Sequence, residues 1–297
     1  MMWNTEWGIK MSLLLKSTKR MRPIDSVRAI GSLIMLALFA IVMLFPIYFM
    51  FVTSLGRPVE AGSANYSLFP RVVTFDSYKF FFDFSPHALR WISNSFIIAA
   101  SVTVGNVLFA GMAGYAFAKI RFRGSKLFFW LFLGTMMVPY QVIQVPLYIL
   151  TVNVLGMQDT YAALILPNMC TAYNIFLMKQ FTSSIPTEII ESAKIDGCSQ
   201  PRIFASIVVP LSKTVLAVMA ITTFMDNWNS FFWPMLITTK EYMKTIQVGL
   251  ASFRFANTTY FAPMMAGACV AALPMFIMFF CLQRYFLEGV TVGAVKG

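Results

Sequence analysis

A chain of 297 residues that is 58% hydrophobic and 12% charged, with a mean hydropathy of +0.71, is far from the composition of a soluble globular domain. Its net charge of +11 is compatible with nucleic acid, anionic lipid or membrane topology, but all 23 Lys and Arg lie between or beside apolar segments. Topology therefore accounts for the charge without a nucleic-acid partner, and continuous apolar runs lacking period-2 alternation exclude a β-barrel.

The leader, 1–28, is basic, has no apolar run of signal-peptide length and no small-residue cleavage site, and is expected to stay uncleaved in the cytoplasm. Charge-free runs then lie between Arg28 and Arg57, Arg90 and Lys119, Lys126 and Asp159, Asp159 and Lys179, and Arg254 and Arg284. A sixth, Thr214 to Thr239, contains only Asp226. About 20 helical residues cross a hydrocarbon core of roughly 30 Å, and a charge at its centre costs roughly 2.5–3.5 kcal/mol. The predicted spans are 29–53, 92–118, 127–150, 160–178, 214–237 and 262–283, within a transmembrane domain 29–286 followed by a tail 287–297. Of the Lys and Arg, 16 fall on the side of the N-terminus and 7 opposite, which predicts that both termini are cytoplasmic. The fold class is an all-α integral membrane protein.

Several smaller features follow the chain. The external stretch Gly56 to Arg90 has turn formers and seven aromatics from Tyr66 to Phe82, and is expected to pack on the outer membrane surface. Gly105, Ala110, Gly111 and Gly114 in the second span are expected to admit a close neighbouring helix. Pro46, Pro139, Pro146, Pro167, Pro234 and Pro274 free backbone carbonyls within or near spans, which favours a transporter over a simple anchor. Cys170, Cys198, Cys269 and Cys281 show neither pairing nor metal spacing and are expected to be free thiols; His87, without partners at ligand spacing, is not read as a metal site.

The stretch from Lys179 to Lys213 is the most informative. Pro186 suits a first helical position, Glu188 the first turn and Gly197 a stop, which predicts a helix of about three turns. Ile189, Ile190 and Ala193 form an apolar stripe, and the acids Glu188, Glu191 and Asp196 argue for docking on a protein rather than on anionic lipid. On spacing alone an ordinary capped helix explains Glu191 to Gly197 equally well.

At this point the sequence resembles the binding-protein-dependent ABC importer permeases, whose signature is E-A-A, three residues, G, nine residues, I-x-L-P. Here it reads Glu191-Ser192-Ala193, then Gly197, then Ile207 and Pro210, with Ser192 for Ala and Val209 for Leu. Trp228-Asn229-Ser230-Phe231-Phe232-Trp233-Pro234-Met235 is similar to the W-N-D-F-L-W-P-L segment of maltose-type carbohydrate permeases, with Ser230 in place of the acid. The ending Gln283 to Gly297 looks like the tail of the maltose-G-like permease. The resemblance implies a type I importer permease fold with a cytoplasmic coupling helix in the loop 184–211. It implies that Glu188, Glu191, Ser192, Ala193, Asp196, Gly197, Ile207 and Pro210 couple to the ATPase, and that the tail Gly293, Ala294, Val295, Lys296 and Gly297 contacts it. It further implies a second homologous permease, two ATPase subunits that bind ATP and Mg, an extracytoplasmic binding protein and a sugar, with no cofactor on this chain.

For the substrate pathway, Asp226, beside Asn227 and Asn229, is either a polar lining or gate, or an acid near a helix end that reaches the interface. Gln141, Gln144 and Tyr148, with Tyr140, share a face of the third span that serves either the pathway or interhelical hydrogen bonding. No phosphate-binding G-x-x-x-x-G-K-[ST] loop occurs, so energy must come from another polypeptide. An ion-coupled secondary transporter, for which Asp226 is the sole intramembrane acid, and a noncatalytic scaffold are the alternatives.

Overall fold

A computed structural model describes residues 23–58, 68–69, 72–253 and 260–294, with only the backbone of 23–29 and 282–294. Most of the leader, and Val295, Lys296 and Gly297 of the tail, lie outside the described residues. Among the described residues the secondary structure is helical. The chain divides into two compact units, 1–52 and 53–297.

The first unit holds most of α1, Pro23–Ser54, which runs through Pro46 without a break. Residues 30–48 are all exposed although nearly all are apolar. Such a helix is unstable in water and stable in lipid or against another membrane helix.

In the second unit, two helices are long and apolar enough to cross a bilayer alone: α3, Ala88–Lys119, and the segment Phe261–Cys281 of α13, Phe261–Ala294. The other spans are bent pairs. The run predicted as one helix over 127–150 is α4, Ser125–Thr135, and α5, Tyr140–Val154, at 95°. Pro139 causes the break, because its ring disfavours helical geometry at the preceding residue. The fourth span is α6, Tyr161–Asn168, and α7, Ala172–Ser183, bent by 40° just beyond Pro167. Between them and the next span lies α8, Thr187–Ile195. Then α9, Gln200–Leu211, turns 86° into α10, Lys213–Trp228. The predicted span 214–237 differs from the structure: α10 stops at Trp228, residues 229–231 break it, and α11, Phe232–Ile237, is separate.

Both tryptophans of the resemblance segment hold that break. Trp228 donates from Nε1 to the Ala271 carbonyl of α13 at 3.0 Å, and Trp233 to the Ala163 carbonyl of α6 at 3.1 Å. Buried indole N–H groups require such acceptors, so the two residues moor opposite sides of the interruption.

Small residues in α3 do bring helices together. A Cβ at Gly114 would lie 2.6 Å from Met178 Cβ and 2.9 Å from Lys179 N of α7. The aromatics of the stretch 56–90 divide between protein contacts and exposed positions. The helix α2, Asp76–Phe84, packs on protein: Phe81 is fully buried, stacks on Phe253 and shares a core with Trp91, Trp228 and Ile246. Phe80, Phe81 and Phe84 of α2 thus pack on the bundle, whereas Phe75 and Phe82 remain exposed. None of the four cysteines is in a disulfide, as expected.

Candidate functional site: a polar cleft and a capped surface helix

Three chain interruptions converge on one cleft. Its volume is ≈390 Å³, and every one of its lining residues carries a hydrogen-bonding side chain. Tyr140 comes from the start of α5; Asn168, Thr171, Tyr173 and Asn174 from the bend between α6 and α7; Thr222, Thr223, Asp226, Asn227 and Ser230 from the end of α10 and the break beyond it. Polar groups are costly in a membrane interior unless they meet one another or a wet cavity.

Asn106 organises the wall. It sits at the head of a π-helical turn, Asn106–Ala110, within α3, and is fully buried. Its Nδ2 donates to the Asn168 carbonyl at 2.6 Å, while its Oδ1 accepts from Thr171 N, Thr171 Oγ1 and Asn174 Nδ2, each at 3.0 Å. The side chain therefore replaces backbone hydrogen bonds that the bend at residues 169–171 gives up. Asn174 Nδ2 also donates to Thr223 Oγ1 at 2.9 Å, linking α7 to α10. Its Oδ1 is buried and has no hydrogen-bond partner, an acceptor held in the wall of the cleft. Asp226 is exposed to the cleft in the last turns of α10, and its carboxylate has no ion-pair partner among the described residues.

Of the residues proposed from sequence, Tyr140, Asp226 and Asn227 line this cleft. Gln144 is buried and does not line it. Tyr148 packs beside the Ile98–Trp233 core, and Gln141 is exposed away from the cleft. Asn229 faces a different cavity, where its Oδ1 accepts from Gln247 Nε2 at 3.5 Å. Sequence reasoning missed Asn106, Asn168, Thr171 and Asn174. Its search was for missing charge, and a search for amides inside apolar runs would have found them.

The surface helix α8 begins after Pro186, which occupies the N-cap rather than the first helical position, with Glu188 in the first turn. Ile190 and Ala193 are buried members of the core that also holds Met178 of α7, Ile203 and Phe204 of α9 and Met219 of α10. Ile189, predicted in that stripe, is 41% exposed, and Ile195 is 87% exposed beside the exposed Glu188, Glu191 and Asp196. Ser192 Oγ donates back to the Glu188 carbonyl at 2.8 Å. At the far end Gly197 N donates to Lys194 O and Cys198 N to Ala193 O, both at 3.0 Å, with Gly197 at φ +78°. This is a Schellman ending, and Cys198 packs on the same core as Ala193. Ile207 packs against that core from a π-helical turn, Phe204–Val208, while Pro210 is exposed just before the 86° bend. Lys119 Nζ reaches the Ile185 carbonyl at 2.5 Å, and Tyr115 donates to Gln200 Oε1 at 2.7 Å, so α3 grips both flanks of α8. Gly293 and Ala294 lie in the last turn of α13, and the rest of the proposed tail contact is outside the described residues.

At the opposite end of the bundle Asp159, at φ +56°, accepts from Thr239 N and Lys240 N through Oδ1 at 2.7 and 2.9 Å, and from Thr239 Oγ1 through Oδ2 at 2.6 Å. Burial pushes its carboxyl up, but these donors and the Lys240 charge together hold it below the ordinary carboxylate range.

Residues 106–292 match the family of binding-protein-dependent transport system inner membrane components. The arabinooligosaccharides transport system permease protein AraQ of Bacillus subtilis is 33% identical over 280 residues, 94% of this chain and 99% of that protein. The sn-glycerol-3-phosphate transport system permease protein UgpE of Brucella abortus is 34% identical over 279 residues, 90% and 96% of the two chains. A chain in the crystal structure of a bacterial ABC transporter involved in import of the acidic polysaccharide alginate shares the fold, with a TM-score of 0.79 at 23% identity, over 89% of this chain and 98% of that one.

Proposed function

The chain belongs to the binding-protein-dependent transport system inner membrane components, and from that premise we propose that it forms part of a sugar pathway across the cytoplasmic membrane. In this reading it pairs with a second, homologous permease and receives a sugar, an oligosaccharide, from an extracytoplasmic binding protein. Two separate ATPase subunits bind ATP and Mg and act on it through α8, with both termini on their side of the membrane.

One observation carries the reading: the ≈390 Å³ cleft lined wholly by hydroxyl, amide and carboxylate side chains, set among broken spans. Hydroxyl-rich ligands need many paired donors and acceptors, and an unpaired one at a desolvated site is costly. The cleft contains Asp226 and no Lys or Arg, which favours a neutral sugar over a phosphorylated or uronic one. The coupling reading rests on α8, which presents Ile195 and three acids outward while Ile190 and Ala193 join a buried core shared with α7, α9 and α10, of which α7 and α10 also line the cleft.

The test is ATP-driven uptake of neutral oligosaccharides by the complete complex in proteoliposomes. Asp226→Leu and Thr222→Val are expected to lower uptake together by roughly tenfold or more, since each lost hydrogen bond is worth about 1 kcal/mol, while basal ATP hydrolysis persists. Uptake equal to wild type in the double variant would remove the cleft from the pathway.

A further inference from the structure

A second cavity, of ≈1230 Å³, lies at the turn between α3 and α4. Five cations line it, Lys119, Arg121, Arg123, Lys126 and Lys179, and no carboxylate does. Two of the five are engaged: Lys119 with the Ile185 carbonyl and with Thr187 Oγ1 at 3.3 Å, Lys179 over the Phe129 ring at 4.0 Å. Arg121, Arg123 and Lys126 are exposed, and among the described residues none has a hydrogen bond or ion pair. The first turn of α4 also lines the cavity, and its leading N–H groups lack intrahelical acceptors.

Topology alone explains why cations gather in such a turn, but not why they surround a cavity. Leu127 in that first turn is 62% exposed and Trp130, about one turn on, is 69% exposed, an apolar surface continuous with the charged one. A concave cationic site that opens onto an apolar track, at a turn between two spans and hence at the membrane interface, matches one amphiphile. We propose that this cavity binds the phosphate headgroup of an anionic phospholipid, with Arg121, Arg123 and Lys126 on the phosphate and the acyl chain along Leu127 and Trp130. Arg supplies paired donors to phosphate oxygens, and each cation adds attraction at an anionic surface. Because Lys119 bridges the cavity to Ile185 and Thr187, the lipid would sit against the entry to α8. The site does not depend on the sugar pathway or on the orientation of the chain.

The experiment adds phosphatidylglycerol or phosphatidylcholine to the delipidated complex in mild detergent and counts bound lipid by native mass spectrometry. Phosphatidylglycerol affinity should fall about tenfold or more in R121Q/R123Q/K126Q, with phosphatidylcholine binding unchanged. The charge-keeping R121K/R123K variant should retain most of it. If the triple variant does not assemble, Arg123→Gln alone should show a severalfold loss. Equal phosphatidylglycerol affinity in wild type and the Gln variants overturns the proposal. So does displacement of the lipid by millimolar inorganic phosphate, which marks a soluble-anion site, or binding that appears only once partner subunits are stripped away, which marks an acidic protein surface.

Discussion

Gly197 needs glycine for its backbone and not for its surroundings. A Cβ there meets nothing within 4 Å, yet φ is +78°. Gly197→Ala should therefore weaken the end of α8 by about 1–2 kcal/mol without a clash. In the purified complex the expected signature is ATP hydrolysis that persists while uptake falls, and Gly197→Asp should show it more strongly. Coupled uptake at the wild-type level in Gly197→Asp would contradict the role given to α8. Asp159 is the opposite case, a non-glycine residue at positive φ kept there by three hydrogen bonds to residues 239 and 240. Since its folded pKa lies below the ordinary carboxylate value, its contribution is fully present above that ordinary value and is lost as pH falls through the lower, folded one. Thermal unfolding of wild type and Asp159→Ala should thus differ at neutral pH and converge in strong acid, whereas Asp159→Asn, which keeps the Oδ1 acceptor and tolerates positive φ, should sit nearer wild type.

Among elements, the contact between α3 and α7 is set by Gly114, where the facing atoms are Met178 Cβ and a backbone nitrogen and not a flexible tip. Gly114→Ala should force the helices apart at a cost of about 1–3 kcal/mol, read as a lower melting temperature in detergent. Asn106→Leu removes the acceptor for three donors and the donor to Asn168, and should be worse still, by roughly 3 kcal/mol or more, with accelerated hydrogen exchange around residues 168–174. The six apolar runs were legible because charge is excluded from lipid, and the end of α8 because Gly197 is a sharp local signal. The bends were not. Pro46, Pro146 and Pro274 all lie inside continuing helices, while the 86° turn at Ser212 follows Pro210 by two residues, so proline alone does not say which helix breaks. Tertiary partners decide: Asn106 at one break, Trp228 and Trp233 at another.

For the whole molecule, the polar cleft and α8 sit on shared elements. Asn174 and Met178 are one helical turn apart on α7, the first in the cleft wall and the second in the core that Ile190 and Ala193 of α8 join; α10 likewise carries Met219 in that core and Thr223 in the cleft. A displacement of α8 has rigid elements through which to reach the cleft, as an importer driven from outside the membrane requires. Asp226 was legible as the single acid in an apolar run, but its companions were not. Asn168, Thr171 and Asn174 gather only when α6 and α7 bend around Asn106, more than 60 residues earlier in the chain.

In the proposed function, this chain moves its substrate with energy from another polypeptide docked at α8. The direct measurement is to purify it in mild detergent from its own host and identify by mass spectrometry what accompanies it, for wild type and for a chain altered from Glu191 to Gly197. A second multi-span permease and an ATPase should be recovered with the wild type, and the ATPase should be lost from the altered chain. Recovery of the chain alone, still competent for uptake driven by an ion gradient, would contradict it.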